Sequence, residues 1–168
     1  MNKFPRSIAL IARLVLGLTF LFSGFVKAVD PLGTVYKIQD YLQAFSWHFF
    51  EEYATALAVL LFSFEMLIGF SHLFGFRQRL TARVTTLFVV AMTLLTLVIA
   101  ITNPVSDCGC FGDAVKLTHW QTFEKNIILL LLALILLLYK GELYHTFGKR
   151  TAPAAFILSM IVPLFIAT

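Results

Sequence analysis

The sequence predicts an all-α polytopic membrane protein: an antiparallel four-helix transmembrane bundle, a fifth span and an interfacial amphipathic helix. Three observations predict it. Sixty per cent of the 168 residues are hydrophobic and only 13% are charged, whereas a soluble domain carries roughly a quarter charged residues. The mean hydropathy is +0.88. The apolar residues also fall into five long runs separated by short polar segments, with lengths suited to spans of ~20 residues. The chain reads as one integral membrane domain, 1–168, with no internal repeat, low-complexity stretch or soluble domain of useful size.

The first run, 8–26, is interrupted only by Arg13. Lys3 and Arg6 before it resemble the basic flank of a secretory signal, but no small-x-small cleavage motif follows, so an uncleaved first span is expected. Beyond it, Val35, Ile38, Leu42 and Phe45 recur at helical spacing, with Lys37, Gln39, Asp40 and Gln43 between them. That pattern predicts an amphipathic helix in the membrane interface, followed by an aromatic belt of Trp47, Phe49, Phe50 and Tyr53. A cap over the bundle end is the favoured role for it, ahead of a lid over a redox site. The second run, 53–76, contains Glu65 and His72, and the third, 84–102, carries no charge. The fourth, 120–139, places Glu124 and Lys125 near the headgroups. The fifth, 152–167, is short and holds Pro153 and Pro163, which favour a tilted or kinked span.

The basic residues are divided unevenly between the two ends of these runs. Lys3, Arg6, Arg77, Arg79, Arg83, Lys140, Lys149 and Arg150 fall on one side. Lys27, Lys37, Lys116 and Lys125 fall on the other, together with Asp30, Asp40, Glu51, Glu52, Asp107, Asp113 and Glu124. The positive-inside bias puts the N-terminus in the cytoplasm, and the 103–119 loop and C-terminus outside. Basic residues at span ends set orientation and meet anionic headgroups, so the net charge of +4 is not read as nucleic-acid binding.

Both cysteines lie in that outer loop, as Cys108-Gly109-Cys110. An extracytoplasmic compartment permits disulfides, whereas the cytoplasm does not. A bridge between residues two apart needs a tight turn, which Gly109 permits and Gly112 loosens at its exit. Such a small ring is a poor staple, because closing it removes little unfolded-state entropy. Strained, exposed bridges are the exchange-prone ones. Asp107 and Asp113 oppose thiolate formation, and His119, Lys116 or Lys125 can offset them by folding back. Two other readings use the same residues. The bridge can be permanent, or Cys108, Cys110 and His119 can ligate a metal with Asp107 or Asp113 as the fourth ligand. An exchange-active dithiol, with no metal, is the favoured reading.

Within the bilayer, Arg13 and Glu65 are expensive and therefore functional suspects. Glu65 lies ~16 Å from the cytoplasmic end of its span. Arg13 can snorkel to the cytoplasm or pair. For Glu65 a pair with Arg13 is expected, with His72 as the other partner and a protonated acid on a proton or quinone path as the fallback. His72 is expected at the interface.

The stretches RLVLGLTFLFSGFVKAVDPLG, FEMLIGFSHLFGFRQR and DCGCFGD followed by HWQTFEKNIILL resemble the DoxX/MauE group of small bacterial redox-associated membrane proteins, most closely its MauE-like branch. The resemblance runs from the first span through the fourth, and a fifth span departs from the minimal four-helix pattern. It implies a four-helix core with a redox-associated role. In the MauE-like branch that role is methylamine utilisation, with a part in disulfide formation in a periplasmic dehydrogenase subunit. DoxX-like relatives imply thiosulfate or quinone redox chemistry.

The functional expectation is therefore thiol–disulfide exchange in the bacterial inner membrane. Cys108 and Cys110 act on a periplasmic or membrane-tethered thioredoxin-like or cysteine-containing partner. A quinone is a possible bilayer acceptor for the electrons, although the eighteen Phe do not by themselves establish a pocket for it. The alternative is a non-catalytic subunit that scaffolds or matures a larger membrane complex.

Overall fold

The structure, a computed structural model, describes residues 5–105 and 117–139. Asp107, Cys108, Gly109, Cys110, Gly112 and the expected span 152–167 lie outside the described residues. The order of elements is α1 (Arg6–Val29), α2 (Pro31–Ala44), a short 3-10 helix (His48–Tyr53), α3 (Ala54–Phe74), α4 (Gln78–Thr102) and α5 (His119–Leu138). Four helical segments are long and apolar enough to cross a membrane: α1, α3 with its 3-10 lead-in, α4 and α5. Even α5, with 20 residues, matches a hydrocarbon core ~30 Å thick. The chain is an all-α polytopic membrane protein in contact with the lipid bilayer. Leu18, Leu60, Leu87, Leu94, Ile101 and Leu131 lie exposed along the four helices, where acyl chains solvate them.

Local sequence sets the helix ends. Asp30 separates α1 from α2, and its side chain accepts from the Gly33 N–H at 2.9 Å, with Pro31 in the first helical turn. α1 therefore continues to Val29, three residues beyond the expected end of the span. α3 closes at Gly75, whose φ of 72° suits glycine. There the Phe76 N–H donates to the Ser71 carbonyl at 2.9 Å and the Gly75 N–H donates to the His72 carbonyl at 3.3 Å, the paired bonds of a Schellman motif. Because α4 restarts at Gln78, the expected Arg-rich loop shrinks to a tight turn, and Arg79 and Arg83 ride on α4 itself. Thr118 and Gln121 form a capping box at the start of α5.

α1 packs mainly on α3 and α4 on α5, and α1 also meets α5. Small residues bring α1 and α3 together. A β-carbon on Gly69 would lie 2.6 Å from the Leu21 nitrogen, and one on Gly24 would lie 2.8 Å from the Phe62 carbonyl oxygen. In lipid, such close backbone approach substitutes for a hydrophobic driving force between helices. The buried face of α4 is threonine-rich. Thr86, Thr93 and Thr96 donate to the carbonyls four residues back at 2.7, 2.7 and 2.8 Å, which satisfies the hydroxyls locally. α2 buries Val35 and Leu42, and Val35 packs with Ala54 and Ala58 of α3. This is the amphipathic stripe expected from the sequence, and Trp47, Phe49, Phe50 and Tyr53 follow it as exposed aromatics.

The two ends of the bundle differ. At one, Arg13, His72, Arg79 and Tyr139 line a single small cavity. At the other, Asn103 and His119 join the end of α4 to the start of α5.

Candidate functional site

Leu16, Phe20, Ser23 and Lys27 follow the helical spacing of one α1 face, and all are buried. Lys27, in the last turn, thus points into the bundle. Its Nζ donates to Ser23 Oγ at 2.7 Å and to Glu65 Oε2 and Oε1 of α3 at 2.8 and 3.0 Å. Both side chains of the pair are more than nine-tenths buried. A cation in the last turn is also favoured by the α1 dipole.

This geometry corrects the expectation that Glu65 pairs with Arg13. Arg13 and Lys27 are 14 residues apart on α1, or about 21 Å at the helical rise. The antiparallel register therefore sets Arg13 beside His72 at the opposite end, and Lys27 meets Glu65. Lys27 lies just past the apolar run that ends at Val26, yet its spacing from Phe20 and Ser23 puts it on the same helical face. His72, in the last turn of α3, faces into the bundle. It is 3% exposed, and its Nε2 shares a 2.9 Å hydrogen bond with Thr85 Oγ1 of α4.

The Lys27–Glu65 pair forms part of the wall of a cavity of about 210 Å³ lined by all five α-helices. Thr96 and Asn126 form a second polar patch: Asn126 Nδ2 donates to Thr96 Oγ1 at 3.1 Å and to the Met92 carbonyl at 3.4 Å. Most of the remaining wall is apolar and includes Phe20, Leu61, Phe88 and Leu129. Lys37 and Tyr41 of α2 and Lys125 of α5 also line it. A few polar groups fixed in an apolar enclosure is the usual form of a small-molecule site.

Of the residues singled out at the outer loop, His119 is described. It begins α5, and its Nδ1 lies 2.8 Å from Asn103 Oδ1. Its Nε2 is buried and makes no hydrogen bond among the described residues. The Asn103–His119 contact ties together the two helix ends joined by the Cys108–Cys110 segment. Asn103 and Asn126 were not singled out from sequence as site residues. The signal for Asn126 is an amide set nearly two helical turns inside the apolar span 120–139.

Comparison with known proteins adds a family. The family described as methylamine utilisation protein MauE matches residues 5–139. No curated protein and no solved structure matches the chain.

Proposed function

We propose, from the premise that this chain belongs to the MauE family, that it carries out thiol–disulfide exchange for methylamine utilisation in the bacterial inner membrane. Its target is a periplasmic or membrane-tethered thioredoxin-like or cysteine-containing protein, and the exchange matures an extracytoplasmic dehydrogenase subunit. The N-terminus is cytoplasmic, and the Cys108–Cys110 loop and C-terminus face the periplasm.

The observation that carries this reading is the position of the dithiol in the chain. Cys108 and Cys110 are the only cysteines, and they lie in the link between α4 and α5, whose ends meet at Asn103 and His119. That end lies opposite the Arg13–Arg79 cluster, and basic clusters mark the cytoplasmic side. In the exchange, a partner thiolate attacks one sulfur of the Cys108–Cys110 bridge and forms a mixed disulfide. The second partner thiol resolves it. The partner gains a disulfide, and Cys108 and Cys110 leave as thiols holding two electrons and two protons. Renewed turnover needs an acceptor for both.

Alkylation of thiols in rapidly quenched cells tests the reading. Cys108 and Cys110 should be partly reduced when the cysteine-containing partner is co-expressed, and oxidised without it. A bridge that stays closed in both conditions, with loss of the dehydrogenase on deletion of the chain, would favour a scaffolding subunit instead.

A further inference from the structure

We propose that the cleft between the start of α4 and the end of α5 binds an anionic glycerophospholipid, whose phosphate is held by Arg79 and Arg83. These arginines are four residues apart on α4, so they share one face, a turn apart. Both are exposed. With Ala82, Leu136, Leu137 and Tyr139 they line a cavity of about 310 Å³. No acid lines it among the described residues, and neither arginine makes a hydrogen bond or ion pair there. Two guanidinium forks on one face match the oxygens of a phosphate, which takes paired N–H donors from arginine.

Depth and apolar surface then select a lipid over a soluble anion. α4 has 25 residues, or ~37 Å at the helical rise, against a hydrocarbon core of ~30 Å. Its far end stays apolar through the exposed Ile101, so the excess length falls at the Arg79 turn, at the level of lipid phosphates. Arg83 lies one turn deeper and reaches the same level along its stem. The α5 wall of the cleft is apolar: Leu136 is buried, and Leu137 is exposed. That wall can be covered by the upper methylenes of an acyl chain, which a free phosphate lacks. α4 also begins at this end without a side-chain cap, so its dipole adds positive potential. Basic pockets between spanning helices are a known form of anionic-headgroup site. The inference does not rest on the exchange reading above.

The test is binding to the full chain in neutral detergent, followed by native mass spectrometry. The chain is titrated separately with dioleoyl phosphatidylglycerol, dioleoyl phosphatidylcholine and glycerol 3-phosphate. Phosphatidylglycerol should saturate one site, with the other two at least about tenfold weaker, the scale of one hydrogen bond to a charged group. Arg79→Gln with Arg83→Gln should lower phosphatidylglycerol binding to the phosphatidylcholine level. Arg6→Gln with Arg77→Gln removes two exposed charges from the same end but outside the cavity, and should bind phosphatidylglycerol as the wild type does. Leu137→Trp, which fills the cleft from an exposed position without changing charge, should weaken binding with the melting temperature kept. Equal binding of phosphatidylcholine would overturn the proposal, and so would equal losses in the two arginine pairs, which would mean that net charge alone is read. Glycerol 3-phosphate binding as tightly as the lipid would make the cleft a soluble-anion site and overturn the lipid assignment. Phosphatidylglycerol binding unchanged in Leu137→Trp would place the lipid elsewhere.

Discussion

Lys27 Nζ lies 2.8 Å from Glu65 Oε2, so the last turn of α1 is joined by charge to the middle of α3. Both groups are removed from lipid and water, and removing either leaves its partner as an uncompensated buried charge. Losing one member of such a pair costs ~3–5 kcal/mol, whereas replacing both with apolar or neutral groups of similar volume is often close to neutral.

Lys27→Met should therefore destabilise the bundle in detergent by ~3–5 kcal/mol. Lys27→Met with Glu65→Gln should recover most of that loss. Arg13→Ala combined with Glu65→Gln should be additive, because distant sites without shared partners do not couple. A double-mutant cycle on thermal unfolding measures both.

Gly69→Ala should separate α1 from α3. Its β-carbon would meet main-chain atoms, the Leu21 nitrogen at 2.6 Å and the Gly17 carbonyl oxygen at 3.0 Å, which cannot move without shifting a helix. The expected loss is ~1–3 kcal/mol, the range for overpacking. Gly17→Ala should cost less, because its nearest obstacle is the Leu73 side chain at 2.9 Å. Melting temperatures of the two variants provide the comparison.

Labelling from outside the cell tests the orientation. After mild reduction, Cys108 and Cys110 should react with a membrane-impermeant thiol reagent added to intact spheroplasts. Reaction only after the membrane is opened would reverse the topology and remove the disulfide-permissive compartment on which the exchange reading stands.

A reduction potential tests the chemistry of the loop. An exchange-active bridge between residues two apart should equilibrate with glutathione buffers at periplasm-like poise, well above the roughly −300 mV below which structural disulfides lie. Thiol quantification across a series of buffers gives the value, and a bridge that resists them all would be structural.

The bundle was legible because bilayer crossing demands long apolar runs, and few other structures satisfy the backbone in lipid. The runs 8–26, 53–76, 84–102 and 120–139 fall within a few residues of four observed helices, except at the start of α4. There, Arg79 and Arg83 looked like loop residues because they are charged, but a helix can carry arginine near the headgroups on long side chains. The candidate site was less legible. Arg13 and Glu65 stand out in sequence as charges inside apolar runs, which makes them look like partners. The actual partner, Lys27, sat just past the end of the apolar run, and only the register of α1 against α3, set by Gly24 and Gly69, brings it to Glu65. Thr85, Thr96 and Asn126 are neutral and leave almost no mark on hydropathy, yet they hold His72 and part of the cavity wall.

The central claim, that Cys108 and Cys110 exchange disulfides with a partner, is tested most directly by trapping. With one cysteine replaced by Ala, the remaining thiolate attacks the disulfide of the oxidised partner, and no second thiol of this chain is left to displace the partner from the mixed disulfide. Cys108→Ala or Cys110→Ala, expressed in cells that use methylamine and quenched with acid, should yield a covalent complex on non-reducing gels that disappears with reductant. It should contain a thioredoxin-like or cysteine-containing extracytoplasmic protein. If neither variant forms a reducible complex while the wild-type chain still supports dehydrogenase maturation, the chain does not act by thiol–disulfide exchange.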